Sequence, residues 1–176
     1  MTGERIYPEA VSGPFPDPPR TTTDGEGRSI TIDVVDPSDR TLLLEMYREF
    51  NPEDRAQGIP PIDDHAIERW LDNVIEEDCY GVLARHDGDA VGHAMLVPDE
   101  QDAHELAIFV LGRYQSAGIG TMLVRTLLGH AQDIGLDRVW LTVERWNDAA
   151  IALYKKVGFE VCSSESFEME MSIRLH

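Results

Sequence analysis

Two lysines, Lys155 and Lys156, and two cysteines, Cys79 and Cys162, are all that a chain of 176 residues holds of either type. The cysteines lie beside predicted strands without metal-ligand spacing, so they read as small, reduced core residues and not as a disulfide or part of a zinc site. The histidines are scattered with no pair four residues apart, and no metal site is expected. No apolar run has the length of a transmembrane helix, and residues 1–10 lack a basic-then-apolar leader pattern, so the expectation is a soluble, cytoplasmic protein. Basic residues are scarce altogether: 15 Lys and Arg stand against 33 Asp and Glu, a formal net charge of −18. Repulsion on that scale argues against a nucleic acid or an anionic membrane as partner.

The same acidity has two explanations. One is a solvated surface suited to high salt, where charges are screened within about 3 Å at 1 M. The other is an acidic groove that selects a cationic substrate. Near-absence of lysine with arginine retained resembles the composition of haloarchaeal proteins and favours the first explanation, so the surface charge says little about substrate.

The length suits one domain with a core of its own. Residues 1–28, rich in Pro, Gly and Thr and without an apolar period, read as an extended tail, and 29–176 as a single domain. A strand over 29–35 leads to Asp36 and Pro37, a cap and first-turn proline for a helix near 37–50. A loop over 51–62 precedes a second amphipathic helix at 63–77, and strands near 79–86 and 90–97 flank the tight-turn signal Asp87-Gly88-Asp89. Then follow a strand near 104–111, a helix over 118–134, a strand at 138–144, a helix at 147–157, and strands near 159–162 and 167–174.

Residues 105–120 carry the most information. An apolar run passes into a turn that ends in Gly118 and Gly120 and opens a helix whose Ile119, Met122, Leu123, Thr126, Leu127, His130 and Ala131 keep helical spacing. Glycines permit close approach where a helix leaves its first N–H groups unpaired, and those donors with the helix dipole favour a phosphate. A nucleoside-triphosphate loop would need Lys and then Ser or Thr after the last glycine, where Thr121 and Met122 stand; a dinucleotide fingerprint would need a third glycine. Two glycines can also serve merely to pack a helix tightly.

A second motif follows at 147–159, where Asn147 suits an N-cap and Gly158 a helix end. Gln115-Ser116-Ala117-Gly118-Ile119-Gly120 together with Asn147, Ala150, Leu153, Tyr154, Gly158 and Phe159 resembles the two signatures of the GNAT superfamily of N-acetyltransferases, Gln/Arg-x-x-Gly-x-Gly and Asn-x-x-Ala-x-x-Leu-Tyr-x-x-x-Gly-Phe. The resemblance spans 29–176 and is most specific in the C-terminal half. It implies a mixed α/β fold: a mostly antiparallel, twisted sheet of about seven strands with helices on both faces, strands 104–111 and 138–144 splaying apart at a bulge. It implies acetyl-CoA as acyl donor, its pyrophosphate on Gln115, Ser116, Ala117, Gly118, Ile119, Gly120 and Thr121. The pantetheine arm would enter the gap against Ile108, Phe109 and Val110, with Asn147, Ala150 and Tyr154 along it.

The implied activity is transfer of an acetyl group to a primary amine by direct attack while both substrates are bound. An alkylamine is mostly protonated at pH 7 and must lose that proton to attack, so a base within reach helps. Glu105, at the start of the cofactor strand, stands where family members carry a glutamate acting through water. Glu144, at the end of the neighbouring strand, is the second candidate, and either also reads as a solvated strand-end acid. His104 is weaker, because the strand period turns it to the opposite face. Tyr154 stands where the family places the acid that serves the departing thiolate, and a phenol keeps its proton at neutral pH; its plain alternative is an aromatic ring capping the core. A strand N–H near Val110 would meet the oxyanion.

Two departures stand out: Gly112 where a proline commonly follows the strand, and Gln115 for the commoner arginine, with Arg113 and Arg125 as candidate substitutes. The acceptor side is implied near 50–70 and 162–167, where Asp54, Asp63 or Asp64 could hold a cationic amine and Phe50 or Trp70 its stem; the acids read equally well as helix N-terminal residues favoured by the dipole, and the aromatics as core. Small-molecule and protein amines both remain open, as does a homodimer. The competing function is a regulatory or interaction module that binds acyl-CoA and transfers nothing.

Overall fold

The computed structural model describes residues 4–50, 61, 63–76, 78–164 and 167–176. Its strands are β1 (Arg20–Thr23), β2 (Ser29–Val34), β3 (Tyr80–His86), β4 (Asp89–Pro98), β5 (His104–Val110), β6 (Arg138–Glu144), β7 (Glu160–Ser163) and β8 (Glu168–Arg174). Its helices are α1 (Arg40–Arg48), α2 (Asp64–Val74), α3 (Ile119–Asp133) and α4 (Asp148–Val157). The strands form one sheet in the order β1-β2-β3-β4-β5-β6-β8-β7. Every neighbouring pair is antiparallel except β5 and β6.

That parallel pair is short. β5 meets β6 only at His104↔Val139 and Glu105↔Trp140, after which the strands part. The expected opening is present, but no bulge in β5 makes it: the β4–β5 register is unbroken from Gly92↔Val110 to Pro98↔His104. On the far side β6 is fully committed to β8, from Arg138↔Arg174 to Glu144↔Glu168. Each of the two strands is thus held by its outer partner while the pairing between them stops after Glu105↔Trp140.

Successive residues of β5 face opposite layers. Phe109 packs on Tyr47 of α1 and Trp70 of α2, whereas a Cβ placed on Gly120 of α3 would lie 3.6 Å from Ile108 Cδ1. So α1 and α2 cover one face and α3 and α4 the other. Local signals set the elements. Asp36 and Asp39 form a capping box around the short 3-10 turn that leads into α1. Asp87 and Gly88, at φ 51° and 85°, make the two-residue turn that joins β3 to β4 with the twist a hairpin prefers. α4 ends in a lock in which Phe159 N–H donates to the Tyr154 carbonyl at 3.0 Å and Gly158 N–H to that of Lys155 at 3.2 Å.

The N-terminal segment departs from a bare tail. Arg20–Thr23 pairs along β2 and supplies the eighth strand. Before it, the chain runs as a strap: Ser172 Oγ donates to the Ile6 carbonyl, Arg174 Nε to that of Pro8, and Ser12 N–H to that of Arg174. The Pro16 carbonyl sits so close over Gly129 of α3 that a Cβ there would meet it at 1.9 Å. The cysteines also depart from expectation: both are free, yet only half-buried, Cys79 just ahead of β3 and Cys162 on the edge strand β7.

Candidate active site

A cavity of about 840 Å³ opens where β5 and β6 part. Leu111 N–H donates to the Val91 carbonyl at 3.0 Å, which fixes the phase of the ladder. By the two-residue period Phe109, Ala107 and Glu105 then turn their main-chain groups to β4, and Ile108 and Val110 turn theirs to the gap. The three strand residues expected to meet the pantetheine arm therefore divide. Ile108 and Val110 offer backbone, while Phe109 offers only its ring.

The helix opening is built as a cradle. Gly118 sits at φ 86°, a left-handed conformation costly to residues with a Cβ, and nothing closer than Met122 Cε at 4.0 Å would touch a Cβ there. Backbone conformation, not space, requires this glycine. The first helical bond runs from Met122 N–H to the Gly118 carbonyl at 3.1 Å, so the preceding N–H groups have no partner within the helix. Gly120 has the plainer role: a Cβ would come within 3.0 Å of Leu153 Cδ1, so this glycine lets α3 pack on α4.

Gln115, Ser116, Gly118, Gly120 and Thr121 line the cavity, as do Asn147, Ala150 and Tyr154. Ala117 and Ile119 do not; both are buried, and the Ala117 carbonyl accepts from Gly25 N–H at 2.8 Å. The Gln115 amide is spent on the strand, donating to the Val110 carbonyl at 3.0 Å. Asn147 caps α4 by accepting from Ala150 N–H at 3.2 Å. Neither arginine substitutes for the missing cation: Arg113 pairs with Glu49 at 2.6 Å, and Arg125 lies off the wall. Among the described residues lining the cavity the one cation is Lys156, two positions after Tyr154. Its rarity in this sequence was the available signal.

The proposed reacting groups share this cavity. Glu105 faces the α1/α2 side, half-buried, and burial raises its carboxyl pKa, with the Arg5 guanidinium opposing the rise. Tyr154 is 7% exposed, and burial pushes its phenol above the ordinary range, so it holds its proton at neutral pH. Glu144 lines the same cavity four residues beyond Trp140, the partner of Glu105, or about 13 Å along the strand. His104 is absent from the wall; it faces the α3 layer against Tyr80, ring centroids 5.8 Å apart.

The acceptor side differs from expectation. Asp63 caps α2 through Ala66 N–H, and Asp64 pairs with Arg48 at 2.7 Å; neither lines the cavity. Asp54 lies outside the described residues. Trp70 lines the wall, with Val74, Met95, Val97 and Phe109, whereas Phe50 is buried behind it. Met95, Val97 and the Tyr47–His93 pair behind Trp70 were not legible as site residues, since strand and helix periodicity marks them simply as core.

A helix N-terminus for phosphates, a strand edge with main-chain groups turned to a gap, and one lysine fit the donor that the motifs imply. Comparison with known proteins agrees. The model of the acetyltransferase (GNAT) family matches residues 43–159. An uncharacterized N-acetyltransferase of Mycobacterium tuberculosis is 37% identical over 89 residues, 50% of this chain and 57% of that one. Mycothiol acetyltransferase of Streptomyces coelicolor is 31% identical over 140 residues, 76% of this chain and 43% of that one. The chain thus spans little more than half the length of the first relative and less of the second. Among solved structures, the GNAT domain of S. lividans PAT superposes with a TM-score of 0.77 at 15% identity, covering 89% of this chain and 97% of that one. The yncA protein of Salmonella typhimurium, solved with its cofactor acetyl-CoA, gives 0.67 at 19% identity, covering 84% and 94%. At such identities the structures speak for the fold alone. With the motifs, the parted strands and the family match in agreement, the chain belongs to the acetyltransferase (GNAT) family.

Proposed function

We propose that the protein moves the acetyl group of acetyl-CoA to a primary amine held in the same cavity. The observation that carries this reading is that Glu105 and Tyr154 line one cavity with the α3 N-terminus and the open edge of β5. Gly118, Ser116 and Thr121 would hold the pyrophosphate through backbone donors, Ile108 and Val110 the amide-bearing arm, and Lys156 a further anionic group. When bound, the donor supplies an acyl carbon activated by its thioester.

The residues supply the rest. Glu105, ionised, takes the ammonium proton directly or through one water and leaves a neutral nucleophile. One bond forms, between amine nitrogen and acyl carbon, and one breaks, between that carbon and sulfur; the second proton lost by the nitrogen goes to the departing sulfur, which leaves as the thiol. Val110 N–H, turned to the gap, is the donor for the oxygen on which charge develops. Tyr154 gives the departing sulfur a hydrogen bond; a phenol whose pKa burial has raised is better suited to donating such a bond than to full proton release. Glu144 is the reserve base.

The acidic surface serves solvation at high salt in this reading and not substrate choice: of 33 acids, the described wall carries Glu105 and Glu144. A cytoplasmic location belongs to the same proposal; no helix among the described residues is long and apolar enough to cross a membrane. The test is calorimetric titration with acetyl-CoA in molar KCl, with ATP as control, followed by thiol release in the presence of amines. Selective binding is expected, with turnover that falls in Tyr154→Phe while binding persists. Binding without thiol release from any amine would leave the non-catalytic acyl-CoA module as the function.

A further inference from the structure

We infer that the acceptor is a primary amine on an uncharged apolar stem, of the arylalkylamine or branched alkylamine kind, with its nitrogen at Glu105 and its stem on Trp70 and Phe109. The inference rests on the acetyl-transfer reading of this cavity and adds the class of amine. Around Glu105 the described wall that α2, β4 and β5 contribute on this face consists of Trp70, Val74, Met95, Val97, Ala107 and Phe109, while Thr142 and Glu144 share the face from β6 across the gap. The strand registers put these on one surface: Val97 opposes Glu105, and Met95 opposes Ala107. An apolar seat on α2, β4 and β5 with Glu105 at one end is complementary to a molecule with one cationic head and one apolar body.

The seat is held rigidly. The Trp70 ring meets Tyr47 edge-on at 4.9 Å and 88°, and Phe109 at 5.5 Å and 90°. Tyr47 is in turn fixed by its hydroxyl, 2.6 Å from His93 Nδ1 in the interior. Burial holds the His93 ring neutral, its pKa lowered to about 3, so the support carries no charge near neutral pH. Perpendicular aromatic packing of this kind gives a preformed platform that loses little freedom when a stem settles on it.

Competing acceptors meet unfavourable chemistry. A free amino acid would bring its carboxylate next to Glu105, and the cation on the described wall, Lys156, belongs to α4 on the cofactor side. A polyamine laid on Trp70, Val74 and Val97 would push its second ammonium among apolar groups, and one laid along β6 toward Glu144 would leave that apolar surface unfilled. Burying either charge without a partner is costly. Asp63 and Asp64, which would have favoured a polycation, are engaged elsewhere.

The experiment is thiol release from acetyl-CoA with 2-phenylethylamine, L-phenylalanine and spermidine. The expected result is a kcat/KM for 2-phenylethylamine about tenfold or more above the other two, the scale on which an apolar pocket discriminates. Trp70→Ala should erase that preference through KM while calorimetry finds acetyl-CoA affinity unchanged. Val74→Glu should shift the preference toward spermidine. A wild-type preference for spermidine or phenylalanine, or a rank order untouched by Trp70→Ala in folded protein, overturns the inference. Failure of the transfer reading looks different: no thiol release from any amine, while calorimetry on the CoA-loaded protein still finds 2-phenylethylamine bound ahead of spermidine. Absence of both turnover and that binding removes the seat as well.

Discussion

The two ends of the cavity are built by different means. The proposed cofactor end comes from two continuous stretches, 108–121 and 147–156, and offers mainly backbone: N–H groups at the start of α3 and the strand edge of Ile108 and Val110. The proposed acceptor end is assembled from α2, β4 and β5, with support from α1, and offers side chains, Trp70, Met95, Val97, Glu105 and Phe109. Backbone sites depend on conformation that a few residue types enforce locally, glycine at φ 86° and asparagine at a cap. Side-chain sites depend on which strands become neighbours. The first kind tolerates exchange of most of its side chains; the second changes specificity with a single one.

The largest effect expected from separating the two ends is in Glu105→Gln. Turnover should fall by about 10² to 10⁴, the usual worth of a positioned base, with acetyl-CoA affinity retained in calorimetry. Equal turnover would transfer the role to Glu144. At the other end, Gly118→Val imposes a Cβ branch on a left-handed residue, a strain of about 1–3 kcal/mol. It should weaken acetyl-CoA binding about tenfold or more and leave discrimination among amines intact; a loss confined to amine KM would mean that the cradle lies elsewhere.

The aromatic frame predicts a pH dependence of stability. His93 titrates near 3 in the fold against its ordinary 6.5, so the unfolded chain binds a proton that the folded one refuses between those values. Stability should therefore be flat with respect to this group above about 6.5 and decline by about 1.4 kcal/mol per pH unit below it, toward 3. Denaturant melts between pH 7 and 5 check this, and an unchanged midpoint there would argue against a buried neutral imidazole.

The smallest effect concerns the strap. Arg5 lies 2.9 Å from Glu170, with its guanidinium stacked 3.4 Å over Trp140, the register partner of Glu105. Asp99, Glu168 and Glu170 act with burial to raise the Glu105 pKa, and Arg5 opposes them. Arg5→Gln should therefore raise it further. Because the base must be ionised, the acidic limb of kcat/KM should move to higher pH, by less than about one unit for a partly solvated pair. A pH–rate profile reads the shift, and a downward movement would contradict the sign.

The elements that were legible from sequence carry their own instructions. Asp87-Gly88 is a hairpin turn in any context, Asn147 and Gly158 bracket a helix, and the apolar positions of α3 repeat at the helical period. β1 was not legible: Arg20–Thr23 contains no apolar residue, and it is a strand because β2 offers an open edge whose main-chain groups need partners. The strap leaves no mark in the sequence for the same reason: its docking uses backbone carbonyls of Ile6 and Pro8 and one guanidinium, none of which has a periodic trace.

The sequence by itself determined the family, the order of helices and strands from β2 onward and the cradle at Gly118, because each is encoded within about one turn or hairpin of chain. Only the tertiary structure decided that Asp63 and Asp64 turn away from the cavity, that Trp70 and Phe109 form its wall, and that Arg5 and Glu105 act on one another. Those facts depend on residues far apart in sequence meeting across a sheet, and that meeting is set by strand register and by the parting of β5 and β6 beyond Glu105↔Trp140.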